Sequence, residues 1–474
     1  MASIDPLLQT AAADVGCGET EFQRFVDRLV RLDGAAASRI NPYLFAEEAG
    51  LPAQTAIDLF VRGAKHGVFD LEWGAVCPLC GAFTHSAPQI DGMDGGDLFC
   101  RLCNKETPSA LDDTVEVTFA LARPDRPFDR HADFLSHMRY HISSSYPHRE
   151  VMRDYHRDHQ LADARIEPGE TGILRFEARA GHYYRLACLD IHAGTELPVA
   201  EAAGQGAATH RVALSANGFS ERELSLAAGP VEIAVTNQSD EKVWVRAFLL
   251  DMAVIQQVMA EGLPVFGPRL TGKGLINNQT FRDSFALSEL APDLNLKLRS
   301  ITLLFTDLKG STALYDREGD LAAYRLVQDH FVALKQAVRL HAGAMIKTMG
   351  DAIMAAFPHG SDGARAAVAM MAAMRELEAG RHGNQVGLKV GLHAGPALAI
   401  NAGNTVDYFG QTVNIAARVQ GLADAGDICV TRAMNEEGGV AGLLDDAGYV
   451  GQAERARLKG VSAAEDVIRY RTAA

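Results

Sequence analysis

The chain reads as multidomain: an α+β, ferredoxin-like C-terminal domain preceded by a mainly β, sandwich-like module, a four-cysteine element and an N-terminal helical region. Three observations predict this. Beyond residue 299, apolar runs and helix-period segments alternate in the order strand, helix, hairpin, helix, strand. Two Cys-x2-Cys pairs stand close together, at Cys77 and Cys80 and at Cys100 and Cys103. Between 111 and 253 the composition turns to short apolar strands separated by glycine, proline and asparagine.

The 474 residues exceed one ordinary core, and 47% apolar content with only 17 prolines argues for folded protein throughout. The 60 acidic and 45 basic residues leave a net charge of -15. Before Arg299 acids outnumber bases 41 to 27, so no basic stripe exists there to neutralise a nucleic-acid backbone. The opening "MASIDPLLQTAAADVG" has no basic start or long apolar run, and no segment has the length of a membrane span. A cytoplasmic protein is expected. Seven cysteines, four of them clustered, suit a metal site in a reducing compartment better than a disulfide framework.

Residues 1–75 are expected to be helical. Phe22, Phe25, Leu29 and Leu32 fall near helical spacing, and Pro52 opens a second amphipathic run. The unit is winged-helix-like in size but lacks a basic recognition face. In 76–110 the paired cysteines, separated by 19 residues, can wrap four thiolates around one tetrahedral ion. That makes the segment zinc-ribbon-like, with one structural Zn²⁺ per chain held by Cys77, Cys80, Cys100 and Cys103. Asp91, Asp94 and Asp97 between them read as a glycine-rich surface loop. The β module, 111–253, is interrupted near 126–165 by a histidine-rich stretch whose irregular spacing and many arginines favour a solvated helical insert. Residues 254–298 read as a linker, and "GPRLTGKG" within it lacks the glycine spacing of a phosphate-binding loop.

From 299 to 474 the strand "SITLLFTD" ends on Asp307, and Asp351 sits in the turn of the hairpin "AMIKTMGDAIMAAFP". The two central strands are neighbours in this topology, so the carboxylates converge at one edge. They could act as an acid/base pair or hold two divalent ions. Leu308, Lys309, Gly310, Ser311 and Thr312 supply a compact turn whose backbone N–H groups can cradle phosphate at the next helix start. Asn414 and Arg418, four apart, share a helix face. Arginine there suits negative charge developing on phosphorus, and asparagine suits a ribose.

"FTDLKGST", "KTMGDAIMAAF", "VGLHAGP" and "DYFGQTVNIAARV" occur in an order and spacing that closely resemble the class III adenylate/guanylate cyclase catalytic domain. The resemblance implies that Asp307 and Asp351 bind two Mg²⁺ or Mn²⁺ per site. It implies that Lys347 and Asp407 select the purine, Asn414 orients ribose and Arg418 stabilises the transition state. Lys459, in "RLKGV", resembles the lysine that holds the terminal phosphate. ATP is the implied substrate and cyclic AMP the product, with a homodimer completing each site from two chains. The alternatives are a guanylate cyclase and a weak or inactive nucleotide-binding module. The region before 299 is expected to answer to an unidentified small-molecule or protein regulator.

Overall fold

The computed structural model describes residues 6–87, 98–107, 114–122, 128–203, 208–251, 265–285, 295–310, 319–379, 386–402, 405–460 and 464–472. Five helices open the chain: α1 (Pro6–Val15), α2 (Glu19–Leu29), α3 (Gly34–Ser38), α4 (Pro42–Ala49) and α5 (Ala53–Lys65). Local signals set their ends. Asp33 caps α3 by accepting from Ala36 N at 2.7 Å. Asn41 precedes Pro42 at the start of α4, and Gly50 ends that helix in the left-handed region. Phe25, Phe45 and Phe60 meet with ring centroids 4.9 Å apart, and Phe60 stacks on Phe119 at 5.1 Å.

The helices pack on a small antiparallel sheet of β1 (Phe69–Val76), β2 (Phe83–Ala87) and β5 (Val115–Leu121), in the order β2-β1-β5. Between β2 and β5 lies the hairpin of β3 (Leu98–Cys100) and β4 (Lys105–Thr107). The run "TVEVTFAL", expected in the β module, therefore belongs with the helical region, because all seven residues of β1 from Phe69 to Ala75 pair with it.

Helices α6 (Phe134–His141) and α7 (Arg149–His159) lead into the β module. It comprises β6 (Gln160–Ile166), β7 (Thr171–Ala178), β8 (Tyr183–Cys188), β9 (Ala193–Ala203), β10 (Ala208–Ser215), β11 (Gly218–Phe219), β12 (Leu226–Asn237) and β13 (Val243–Leu250). Their order is β11-β10-β12-β9-β8-β13-β6, with β7 on β12. The histidine-rich insert departs from the solvated reading. His131, His137 and His141 are all buried around Asp190, whose side chain is fully enclosed. Asp190 accepts from His131 Nε2 at 2.9 Å and Trp244 N at 2.8 Å, and Arg130 Nε lies 3.1 Å away. Burial pushes the His137 imidazole down to about 2 and that of His141 to about 4. His137 and His141 are thus neutral core members, and irregular spacing hid the cluster because the acid that the three rings surround is about fifty residues distant in sequence.

The segment expected as a linker is also different. Within it α8 (Gly272–Ile276) and α9 (Gln279–Ser284) are short, capped by Thr271 and Asn278, and almost wholly buried.

The C-terminal sheet contains β14 (Asn295–Lys309), β15 (Ala344–Met349), β16 (Ala352–Phe357), β17 (Gly387–Asn401), β18 (Val406–Phe409), β19 (Ile428–Thr431), β20 (Tyr449–Arg457) and β21 (Ala464–Thr472). Its order is β15-β16-β14-β17-β19-β21-β20, with β18 on β17. Helices α10 (Asp320–Leu340) and α11 (Gly360–Ala379) cover one face, burying Leu304, Leu308, Ile353, Ala355 and Phe357. Helices α12 (Gln411–Gln420), α13 (Arg432–Asn435) and α14 (Val440–Asp446) complete the domain. The opposite face is not left to solvent. Leu303, Phe305, Met354 and Ala356 share one core with α1, α2, α4 and α5 and with Leu275, Ile276 and Phe281. Alternate residues of a strand face opposite ways, so the middle of β14 buries Leu303 and Phe305 on one side and Leu304 on the other, because both of its faces are covered there.

One buried carboxylate ties these units. Asp58 of α5, 3% exposed, accepts from Gln54 Nε2 (2.8 Å), Asn278 Nδ2 (3.1 Å) and Arg339 of α10 (Nε 3.1 Å, Nη2 3.0 Å). Asp58→Ala leaves the buried Asn278 amide without its acceptor and should cost about 2–4 kcal/mol. The check is the denaturant midpoint of the full chain: it should fall, and fall less for Asp58→Asn, which keeps one acceptor oxygen.

Candidate active site

Asp307 lies near the end of β14, opposite Lys389 of β17. Lys389 Nζ reaches Asp307 Oδ2 at 3.3 Å, and both side chains are partly exposed. The strand does not stop at Asp307 as expected. Leu308 and Lys309 stay paired with Leu388 and Gly387, Leu308 is buried beneath α10 and α11, and Lys309 Nζ pairs with Asp424 at 3.3 Å. Only at Gly310, with φ +94°, does the backbone turn. Ser311 and Thr312 lie outside the described residues, as do Asp91, Asp94 and Asp97.

Gly350, with φ +67°, makes the sharp turn between β15 and β16 that presents Asp351. Strands β14 and β16 are antiparallel, with Phe305 opposite Met354; two residues further that register sets Asp307 level with Ala352, beside Asp351. Asp351 Oδ2 is buried and has no hydrogen-bond donor among the described residues. The nearby His330 does not compensate it with charge, since burial pushes that imidazole down to about 4. A buried carboxylate oxygen without a donor is costly, and a divalent cation is a natural partner for it. The donor set of two neighbouring carboxylates thus fits the pair of ions the sequence implies.

Lys347 of β15 and Asp407 of β18 meet: Nζ donates to Oδ2 at 2.6 Å. The pair is partly exposed, with Met349 and Phe409 on the same two strands 41% and 68% exposed. Strand β18 is fixed from behind. Tyr408 Oη donates to Asn277 Oδ1 at 2.7 Å, and Arg282 donates to the Val406 carbonyl.

On α12, Thr412, Ile415, Ala416 and Val419 are buried, which turns Asn414 and Arg418 to solvent on a common face. Lys459 is exposed in the turn after β20. The Asp307 and Asp351 carboxylates, the Lys347–Asp407 pair and the Asn414–Arg418 face are separate features of one chain. Sequence reasoning missed Lys389, whose signal was available: strand pairing sets it opposite Asp307.

The four cysteines do come together. Cys77 Sγ is 4.0 Å from Cys103 Sγ and Cys80 Sγ is 3.9 Å from Cys100 Sγ, with all four ligand atoms within 4.8 Å of one another. The Cys103 N–H points at Cys100 Sγ (3.3 Å), and His192 Nε2 lies 3.1 Å from the same sulfur.

Close backbone approach sets the position of α12. A Cβ on Gly391 of β17 would lie 2.1 Å from Gln420 N and 2.2 Å from its Cα. Gly391→Ala should displace the end of α12 and cost about 1–3 kcal/mol. Its measure is a lowered unfolding midpoint of the full chain.

Residues 7–283 match the family described as a family of unknown function, DUF5939, and residues 296–454 match the adenylate and guanylate cyclase catalytic domain. An adenylate cyclase of Lachancea kluyveri is 26% identical over 228 residues, 44% of this chain and 12% of that protein. Adenylate cyclase 2 of Rhizobium meliloti (strain 1021) is 33% identical over 130 residues, 25% of this chain and 36% of that protein. The chain therefore spans well under half of the length of either relative. The crystal structure of the adenylyl cyclase CyaB from P. aeruginosa aligns with 38% of this chain and 97% of that one, at 19% identity and a TM-score of 0.33. No helix among the described residues is long and apolar enough to cross a membrane. With more than half of its residues in the first match, the chain belongs to DUF5939, a family of unknown function, and it carries on its C-terminal side an adenylate/guanylate cyclase catalytic domain.

Proposed function

We propose that the C-terminal domain converts ATP to 3',5'-cyclic AMP and pyrophosphate, and that the region before it regulates this reaction. The observation that carries the choice of base is the ammonium of Lys347 beside the carboxylate of Asp407. Adenine presents an acceptor at N1 and a donor at N6, which complement a lysine donor and an aspartate acceptor. Guanine reverses both groups. At about 1–3 kcal/mol for each unmade buried hydrogen bond, two mismatches disfavour GTP strongly.

Asp307 and Asp351 are assigned as the residues that hold two Mg²⁺ or Mn²⁺. Such ions, when bound, lower the pKa of an attacking ribose 3'-hydroxyl and offset charge on departing pyrophosphate. Asn414 orients the ribose so that its 3'-oxygen lies in line with the α-phosphorus. Arg418 donates to the phosphoryl oxygens as negative charge accumulates there. Lys459 and the backbone beyond Gly310 hold the outer phosphates. Asn414 and Arg418 face solvent, and Met349 and Phe409 expose apolar surface beside the purine pair, as half of a site shared with a second copy would. The four-cysteine cluster is assigned one structural Zn²⁺. Its Sγ separations of 3.9 and 4.0 Å are close to the roughly 3.8 Å edge of a tetrahedron with Zn–S bonds of about 2.3 Å.

Purified full-length protein given ATP or GTP with Mn²⁺ should form cyclic AMP, with cyclic GMP forming at least about tenfold more slowly. Asp307→Ala and Arg418→Ala should each be inactive alone. Mixed and allowed to exchange subunits, they should recover about a quarter of the wild-type rate, since half of the dimers then hold one intact site of two. Demonstrated mixing with no recovery would count against the shared site. Elemental analysis provides an independent check of the cysteine cluster, with one zinc per chain expected and none after Cys100→Ser with Cys103→Ser. A zinc-free but folded wild-type protein would remove that assignment.

A further inference from the structure

A cavity of about 490 Å³ lies where the cysteine element, helices α6 and α7 and the β module meet. Its volume falls within the roughly 300–1,000 Å³ of small-molecule sites. Met138, Ile142, Met152, Leu189 and Phe248 give it an apolar wall. Set in that wall is Arg246 of β13, only 2% exposed.

The guanidinium of Arg246 is covered by aromatic rings, and among the described residues no acid reaches it at ion-pair distance. Its carbon lies 4.0 Å from the Trp244 ring centroid and 4.7 Å from that of Phe134. Ring contacts engage the faces of the cation and leave its in-plane N–H groups free. Nε and Nη2 are buried and have no hydrogen-bond acceptor among the described residues. The nearby acids are committed elsewhere. Asp190 is held by His131 and Trp244 N, and Asp163 Oδ2 accepts from Trp244 Nε1 at 2.8 Å. Burial lowers the Arg246 pKa to about 10, which leaves it charged at neutral pH. By contrast Arg185, also in the wall, is satisfied by Leu102 O at 2.8 Å and Glu196 Oε1 at 2.5 Å. His156 adds a buried Nδ1 with no partner among the described residues.

We propose that this cavity binds a small apolar monocarboxylate, its charge opposite the guanidinium of Arg246 in the wall and its hydrocarbon body against Met138, Ile142, Met152 and Phe248. A carboxylate supplies a counter-charge that no described residue gives Arg246 at contact distance, and the ligand fills space that the side chains leave open. Because the walls come from three structural units, the ligand would join them. The proposal stands whether or not the C-terminal domain turns over ATP.

The experiment is calorimetric titration of the zinc-replete full chain with a fatty-acid series from hexanoate to dodecanoate and with naphthoate, each beside its neutral alcohol. At least one carboxylate should bind, with its alcohol at least about tenfold weaker. The alkyl and aromatic arms distinguish a flexible from a rigid body. Arg246→Met should abolish the preference for the acid, and Met152→Trp, which fills the cavity and leaves the arginine in place, should abolish binding. If Arg246→Met fails to fold, by circular dichroism or zinc content, Met152→Trp decides. No binding by any carboxylate, equal affinity for acid and alcohol, or full binding by Met152→Trp would overturn the site.

Discussion

Burying the Asp58 carboxylate is the constraint around which the chain is arranged. A carboxyl group that is 3% exposed is costly without donors, and its donors come from three separate stretches: Gln54, Asn278 and Arg339. Satisfying it requires α5, α9 and α10 to meet at one point. The apolar core repeats the requirement, since the residues that enclose Phe60 and Trp73 also enclose Leu303 and Phe305 of the central strand. The N-terminal region and the C-terminal sheet are therefore packed as parts of one interior, and the sheet is buried on both faces.

That packing bears directly on the candidate site. Asp407 stands on the short strand β18, whose neighbours Val406 and Tyr408 are held by Arg282 and Asn277 from the segment 265–285. Met345, two residues before Lys347, donates its N–H to Gln279 Oε1 at 2.8 Å. Both strands that carry the Lys347–Asp407 pair are thus anchored to the same two short helices. The family match from 7 to 283 ends within α9, which places these helices with the N-terminal unit rather than between units.

Much of the C-terminal architecture was legible in the sequence because its signals are local or periodic. "SITLLFTD" and the hairpin around Gly350 announce strands, and Asn414 and Arg418 announce a shared helix face by their spacing of four. The cysteine pairs were legible for the same reason, since each knuckle is a contact between near neighbours. What stayed hidden depends on partners remote in sequence. A buried Asp58 looks like any helix aspartate until Arg339 is beside it. The histidines of α6 look solvated until Asp190 arrives from the far side of the β module. Residues 265–285 look like a linker because short helices of six residues or fewer carry little period, and their burial is imposed by elements hundreds of residues apart. Arg246 is the one charge in the apolar run Val243–Leu250, but that it lacks a close acid is a property of what surrounds it and not of the run.

A continuous set of contacts joins the cavity to the Lys347–Asp407 pair. Ile142 lines the cavity, and Ser143 next to it donates its N–H to Gly81 O in the cysteine knuckle. Ser143 and Ser145 also donate through their hydroxyls to Glu116 Oε2, at 2.6 and 3.2 Å. Glu116 is bridged to Thr271, the cap of α8, and its neighbour Val117 donates to Leu270 O at 2.7 Å. Helix α8 then leads to Asn277 and so to Tyr408. Contiguity alone transmits nothing; a coupled element must have two arrangements that differ in free energy. The Lys347–Asp407 contact supplies them in the proposed reaction, since at 2.6 Å it is closed and an adenine edge must part it to bind. Whatever sets the position of β18 sets the cost of that opening. Under the proposed function, a ligand that fixes Ile142 and Ser143 would act on the far end of the frame to which β18 is bound, and the sign of its effect would be decided by whether that frame holds Asp407 nearer to Lys347 or nearer to an incoming base.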